Sequence, residues 1–490
     1  MRSEMELALL PWMVLAGLAV ALMGATALYR RRGLALGLTL FGLALAGAAL
    51  IPAAGRAPVS VTTLLRVDGF ALFFLGLVIG STAVVVLLSG RYVRHVEERA
   101  EEYYILLVLS ALGAGTLVAA THFASFFLGL ELLSVSLYGL IAYPCARPQA
   151  IEAGIKYLVL AAVSSAFLLF GMALVYARLG TLEFDAIARL LAGHGSVAGG
   201  GIGDLALQAG FGLMLVGFGF KLGLVPFHMW TPDVYQGAPA PVTAFVATVS
   251  KGAVMAVLVR FGAALHLAPS SLLGGIIALI AGASMFAGNL LALRQTNLKR
   301  LLAYSSIAHL GYVLVAFLAG GAAAVEAVAF YLVAYVLTSL VAFGVITVLS
   351  DGRGREWDRE ELAEYRGLGR RRPVLAGILA LALFSLAGIP LTAGFIGKFL
   401  VFTSGIGSAQ WALVFAVAVN SGIGIYYYLR VIVALYLRDD EPATESSPEG
   451  GESQGPIYRP AGIALAVLAA LLLLLGVLPQ LVLRIIALPG

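Results

Sequence analysis

Four charged residues stand where an apolar sequence has least reason to hold them. Glu131 sits in GLELLSVSLYGLIAY, Lys221 in GFKLGLVPFHMW, Lys251 in TVSKGAVMAVL and Lys398 in IPLTAGFIGKFL. A charge at the centre of a bilayer costs at least ~2.5–3.5 kcal/mol on insertion scales, so each one in such a run needs an explanation. A carboxylate and three amines can exchange protons. Burial disfavours an ammonium, and a nearby carboxylate favours it. A step that moves Glu131 toward or away from Lys221 therefore changes how firmly the lysine holds its proton. Carrying one charge across 100 mV takes ~2.3 kcal/mol, comparable with a pKa change of roughly one to two units. Side-chain chemistry of this size can drive a proton across a membrane.

The elements that hold these residues must be membrane helices. The chain has 490 residues, of which 61% are hydrophobic and 12% charged, with mean hydropathy +0.98. Soluble domains carry about 25% charged residues, and no single soluble core hides this much apolar surface. A span needs roughly 20 apolar residues. Fourteen runs qualify: 7–28, 33–53, 68–90, 103–120, 122–143, 151–177, 205–229, 240–262, 271–292, 301–319, 322–349, 374–405, 410–436 and 460–487. Residues 103–143 are split at Ala120–His122 because a forty-residue span is too long for a bilayer. The first run is followed by Arg30, Arg31 and Arg32 and reads as an uncleaved helix. The fold expected is all-α and polytopic.

Loop charge sets the orientation. Arg30–Arg32, Arg91, Arg94, Arg147, Arg294, Lys299, Arg300, Arg359, Arg366 and Arg370–Arg372 fall on one face, with few basic residues on the other, among them Arg56, Arg66, Arg178, Arg189 and Arg260. Both termini are therefore expected outside the cytoplasm. The net charge of +5 reflects this loop bias and does not call for nucleic acid. The single cysteine, Cys145, excludes internal disulfides and cysteine-ligated clusters. No nucleotide-binding glycine motif is present. The charged segment Asp351–Arg372 is expected to cap the cytoplasmic face. The stretch 439–457, DDEPATESSPEGGESQGPI, reads as a disordered linker.

Helices four to eight and nine to thirteen form two units of five. Five is odd, so the second unit inserts upside down relative to the first. The fourth helix of each carries a lysine beside an interruption: Pro226 after Lys221, and Gly388, Pro390 and Gly394 before Lys398. Open backbone in a membrane is tolerated only where protein or a water-filled cavity satisfies it, and paired broken helices point to an ion path. The division expected is 1–102 as a three-helix segment, 103–265 and 266–437 as the two repeats, 438–459 as a cytoplasmic linker, and 460–490 as the last span. His309 and His228 are possible relays, or ordinary hydrogen-bonded histidines. Glu152, Lys156, Arg260 and Glu326 lie nearer helix ends, where snorkelling is the default account. The Gly-xxx-small patterns of 210–219 read as close helix packing.

Two long stretches, FKLGLVPFHMWTPDVYQGAPAPVTAFVATVSKGAVMAVLVR (220–260) and NLKRLLAYSSIAHLGYVLVA (297–316), resemble the antiporter-like subunits of respiratory complex I. The likeness covers roughly helices four to thirteen and implies the same fold. It places the family's glutamate at Glu131 and its lysines at Lys221, Lys251 and Lys398. GIPLTAGFIGKFLVF (388–402) is similar to the N-type subunit, NADH-quinone oxidoreductase subunit N, with Leu391 where a proline is often found. The resemblance implies a proton-translocating, non-redox subunit of an NADH:quinone oxidoreductase in a bacterial plasma membrane. FMN, iron–sulfur clusters and quinone are then expected on partner subunits, with no cofactor or metal on this chain. The partners expected are other membrane-arm subunits, further antiporter-like ones among them. The alternatives are a subunit of a cation/proton antiporter or membrane-bound hydrogenase complex, and a stand-alone secondary antiporter, since the repeats are shared.

Overall fold

The computed structural model describes residues 2–96, 100–193, 205–265, 271–351, 358–437 and 457–486. Of the linker expected over 438–459, residues 438–456 lie outside them, and Arg459 already opens the last long helix. Apolar runs become helices because hydrocarbon offers the backbone no other hydrogen-bonding partner. They are α1 (Leu10–Leu28), α2 (Arg32–Ala54), α3 (Gly69–Val96), α4 (Glu101–Ala119), α5 (Phe123–Ile141) and α6 (Pro148–Leu179). Then come α7 in two pieces (Leu205–Leu222, Trp230–Gly237), α8 (Ala240–Leu265), α9 (Leu272–Ala292), α10 (Leu298–Ala319) and α11 (Gly321–Ser350). The last are α12, also in two pieces (Pro373–Ala387, Ala393–Gly407), α13 (Trp411–Tyr436) and α14 (Arg459–Val477). Among the described residues, thirteen helices are long and apolar enough to cross a membrane, and the two halves of α12 together supply another crossing.

The split at Ala120–His122 holds: α4 stops at Ala119, and His122 caps α5 by accepting from the Ala124 amide. The last run departs from expectation. The span read as 460–487 is interrupted at Leu478–Pro479, and a short helix, Gln480–Ile486, follows. The all-α expectation also missed a small antiparallel hairpin, Val59–Val61 with Leu65–Val67, between α2 and α3.

The interior is built around α8, α10 and α11, whose apolar windows are 100%, 89% and 83% buried. Around them, helices approach closely where glycine permits. A Cβ on Gly113 of α4 would meet the Leu133 amide of α5 at 2.5 Å, and one on Gly171 of α6 would meet the Gly210 carbonyl of α7 at 2.6 Å. The small residues of 210–219 do pack as read. Leu128, Phe170, Leu279 and Phe415 point outward, as lipid-facing side chains should.

Three irregularities sit beside the lysines. The first half of α7 ends at Leu222, one residue past Lys221, where Gly223 takes φ +73°. The open backbone there is satisfied from outside: Trp230 Nε1 donates to the Phe220 carbonyl at 2.8 Å, and the Val225 amide to Ser284 Oγ at 3.0 Å. The first half of α12 ends on Gly388 at φ +84°. Leu391, in the same break, has φ +71°, which a proline ring fixed near −65° cannot adopt. Within α8 a π-helical turn, Val246–Ser250, delivers Lys251; such turns recur at functional sites.

Charged residues outside the spans are also organised. The Lys299 Nζ donates to Asp358 Oδ2 at 2.7 Å and to the Gln236 and Ala238 carbonyls at 2.8 and 2.7 Å. Tyr92 donates to the other Asp358 oxygen at 2.7 Å. Arg147, Gln236 and Asn297 all donate to Glu360. Burial alone raises the Glu360 carboxyl, but Lys299 and Arg147 outweigh it and hold the group below its ordinary value. Residues 358–365 thereby fasten α3, α6, α7 and α10 together at one end of the bundle. On the sequence alone this segment carried no such signal. The snorkelling account of Arg260 is also corrected. Its guanidinium grips Asp68 with two hydrogen bonds of 2.7 and 2.8 Å, and its side chain is 11% exposed.

Both side chains of the Lys299–Asp358 pair are 0% exposed, and removing one partner of a buried pair leaves the other charge uncompensated. Asp358→Asn should cost about 3–5 kcal/mol and lower the melting temperature of the detergent-purified protein. A second change, Lys299→Met, should recover much of the loss. A melting curve for Asp358→Asn that superimposes on wild type contradicts this account.

Candidate functional site

The sequence placed a carboxylate and three amines in apolar helices; the structure supplies what surrounds them. Lys221, Lys251 and Lys398 are buried, and Glu131 is half-buried. Lys221 Nζ donates to Ser134 Oγ on α5 at 2.6 Å, and Ser165 Oγ on α6 donates to Glu131 Oε1 at 2.6 Å. Glu131 and Ser134 are three residues apart on one helix, so they share a face. Glu131 therefore stands one turn from the hydroxyl that holds Lys221, and each takes its own serine.

Aromatic rings complete both lysine sites. Lys221 Nζ lies 5.7 Å from the centroid of Tyr157 and 5.8 Å from that of Phe220. Lys251 Nζ lies 5.3 Å from Tyr235 and 5.8 Å from Trp230. A cation over an aromatic face gains ~2 kcal/mol when desolvated. Tyr157 and Trp230 also touch, with centroids 4.9 Å apart, so one aromatic cluster separates the two amines.

Beyond Lys251 the polar groups form a chain. Lys251 Nζ donates to Ser306 Oγ of α10 at 2.7 Å, and Tyr335 Oη of α11 donates to the same oxygen at 2.8 Å. Tyr335 packs against the His309 ring at 5.7 Å. His309 Nδ1 pairs with Tyr331 Oη at 2.7 Å and its Nε2 with Tyr428 Oη at 3.1 Å. The ring of Tyr312 lies 5.6 Å from His309 and 5.4 Å from Lys398 Nζ. Lys398 then donates to the Ala387 carbonyl at 2.9 Å. That oxygen belongs to the last turn before the α12 break, where unpaired carbonyls and the helix dipole favour a cation.

The partners decide what the lysines can do. A hydroxyl can accept from an ammonium or donate to a neutral amine; Ser306 is placed for either, while Ser134 also donates to the Leu130 carbonyl at 2.6 Å. Lys299, by contrast, meets only acceptors, a carboxylate and two carbonyls. The arrangement can pass protons; it has no nucleophile poised at an electrophile. Among the described residues no group of three or more His, Cys, Asp or Glu side chains is placed to hold a metal ion.

Of the residues singled out by sequence, the structure brings His309 between Lys251 and Lys398. His228 lies in the α7 break, half-buried, and its Nδ1 has no hydrogen-bond partner among the described residues. The structure does not join it to the lysines. Sequence reading missed Ser134, Ser165, Ser306, Tyr331, Tyr335 and Tyr428. For Ser306 a signal existed: Lys299, Ser306 and His309 fall on one stripe of α10 at helical spacing.

A many-helix membrane protein whose buried lysines sit at helix breaks and along a hydroxyl chain defines a class, that of proton-conducting membrane subunits. Comparison with known proteins narrows it. The sequence profile of the family described as NADH:quinone oxidoreductase/Mrp antiporter, TM, matches residues 120–424. NADH-quinone oxidoreductase subunit N of Ectopseudomonas mendocina is 48% identical over 98% of this chain and 95% of its own length. The subunit N of Methylococcus capsulatus is 50% identical over 98% and 94%. A chain of respiratory complex I from Thermus thermophilus, solved with bound aureothin, superposes with TM-score 0.81 at 35% identity, covering 98% of this chain and 100% of that one. The chain belongs to the subunit N family of the NADH-quinone oxidoreductases.

Ser306→Ala removes the oxygen that Lys251 and Tyr335 share and leaves only a small void. It should slow proton transfer through the chain several-fold, measured in sealed vesicles, with insertion into the membrane unchanged. A wild-type rate would show that the hydroxyl chain is not used.

Proposed function

We propose that the chain is a proton-translocating, non-redox membrane subunit of a respiratory NADH:quinone oxidoreductase. The observation that carries this reading is the placement of three buried lysines at two helix breaks and a π turn, Lys221 and Lys251 on serine hydroxyls and Lys398 on the Ala387 carbonyl. The names of the two bacterial relatives supply the complex. NADH oxidation and quinone reduction take place on partner subunits, which hold the FMN, the iron–sulfur clusters and the quinone. Further antiporter-like subunits adjoin this one in the membrane arm. The host membrane is a bacterial plasma membrane, with both termini on the periplasmic side.

In this reading Glu131 tunes Lys221 through the α5 face that both use. Lys221 passes its proton toward Lys251, across the Tyr157–Trp230 cluster. Lys251 passes it by Ser306, Tyr335 and His309 toward Lys398, which connects to the opposite face. The two broken helices belong to two inverted five-helix repeats, 103–265 and 266–437, so each half contributes one interrupted helix to a single path. Lysines along the whole axis disfavour a second bound cation, which speaks against sodium exchange.

Lys221→Met should abolish proton translocation by this subunit and lower the number of protons moved per quinone reduced. The assembled complex should keep its content of flavin and its melting temperature. Proton stoichiometry equal to wild type in that variant sinks the proposal.

A further inference from the structure

The polar chain described above leaves Lys251 with a hydroxyl on the α10 side and only aromatic faces on the α7 side. One group there is unexplained. Thr231, the second residue of the second half of α7, is 0% exposed, and its hydroxyl has no hydrogen-bond partner among the described residues. Buried helical threonines elsewhere in this chain donate to the carbonyl four residues back: Thr248 to Ala244, Thr338 to Ala334 and Thr347 to Phe343. That is the usual way a helix absorbs such a hydroxyl. Thr231 does not do so. A polar atom buried without a partner is costly, and each such case in a native structure calls for an explanation.

The hydroxyl is aimed at a definite place. A Cβ built on Gly223 would lie 2.5 Å from Thr231 Oγ1 and 3.3 Å from Lys251 Nζ. Both polar atoms therefore face the space over Gly223, and they lie within about 6 Å of each other, a gap that one bridging water spans with two ordinary hydrogen bonds. Gly223 belongs to the α7 break and follows Lys221 by two residues. Its φ of +73° favours a residue without a side chain, and a Cβ there would collide with the Thr231 hydroxyl at 2.5 Å.

We propose that Thr231 is a positioning residue that holds one water against Lys251 in the space over Gly223. This water is the step by which a proton coming from the Lys221 side enters Lys251. The water gives one proton to the neutral Lys251 amine and takes one from the incoming side, so one O–H bond breaks as another forms and the water leaves the step unchanged. Thr231 reaches the proton only through that water. The inference rests on the axis proposed above.

The test compares substitutions at Thr231 in the whole complex, reconstituted in liposomes, by the rate of proton uptake linked to quinone reduction. Thr231→Ser keeps a hydroxyl and should retain most of the rate. Thr231→Val has the same shape without the hydroxyl and should lose several-fold. Thr231→Ala leaves room for a second water in place of the hydroxyl, so it should fall between the two. A merely structural role predicts the reverse order, with alanine worst because of its cavity and valine near wild type. Should the valine variant fail to assemble, Thr231→Cys, with its weak donor, takes its place and should lose rate likewise. A valine variant that pumps as wild type, or an alanine variant below it, overturns the assignment. Lys221→Met is measured alongside. If Lys221→Met loses pumping and Thr231→Val does not, the water assignment fails alone; if neither does, the axis fails with it.

Discussion

A buried lysine must find partners that suit its charge, and which partners it finds decides whether it is a fixture or a carrier. This chain holds buried lysines in two kinds of surroundings. Lys299 meets the Asp358 carboxylate and two backbone carbonyls, groups that satisfy an ammonium and would be left unpaired by its deprotonation. Lys221 and Lys251 meet one serine hydroxyl each and the faces of aromatic rings. The Ser306 hydroxyl can turn from acceptor to donor when the ammonium becomes an amine, whereas Ser134 must also give up its bond to the Leu130 carbonyl. Lys299 ties down one end of the bundle, and Lys221 and Lys251 lie inside it on partners that do not fix their charge.

The helix breaks serve the same end. An unbroken helix offers its interior no carbonyls or amides, because each is spent on its own ladder. Ending the first halves of α7 at Leu222 and of α12 at Ala387 frees backbone polar groups beside the buried lysines. Lys398 uses this directly through the Ala387 carbonyl, while Trp230 and Ser284 absorb the groups freed in α7. Gly223 and Gly388 make the turns at positive φ. The aromatic cluster of Tyr157, Phe220 and Trp230 lies between the Lys221 and Lys251 amines.

Much of this was legible from sequence because lipid imposes simple rules. Runs of apolar residues had to be helices, glycine and proline near Lys221 and Lys398 had to break them, and charge in such runs had to find polar partners. The boundary at Ala120–His122 followed from bilayer thickness alone. The rest was not legible, for identifiable reasons. A serine in a membrane helix is usually bonded to its own backbone, as Ser89 is to Val85 and Ser134 to Leu130, so nothing marked Ser134 or Ser306 as lysine partners. Arg260 and Asp68 are 192 residues apart, and no local pattern joins them. The π turn before Lys251 has no breaker residue to announce it. The halt at Pro479 was visible in principle, since proline ends a helix, but the apolar composition of the last run masked it.

The central claim is that Lys251 works by losing and regaining a proton, not by carrying a fixed charge. Arginine separates the two, because it keeps the positive charge and does not deprotonate in proteins. The direct measurement is the rate of proton translocation coupled to quinone reduction in liposomes holding the complex with Lys251→Arg. The account predicts a loss as deep as that of a neutral substitution, with the complex assembled. Translocation at the wild-type rate would mean that the charge alone matters, and the proton path drawn through Lys251 would be wrong.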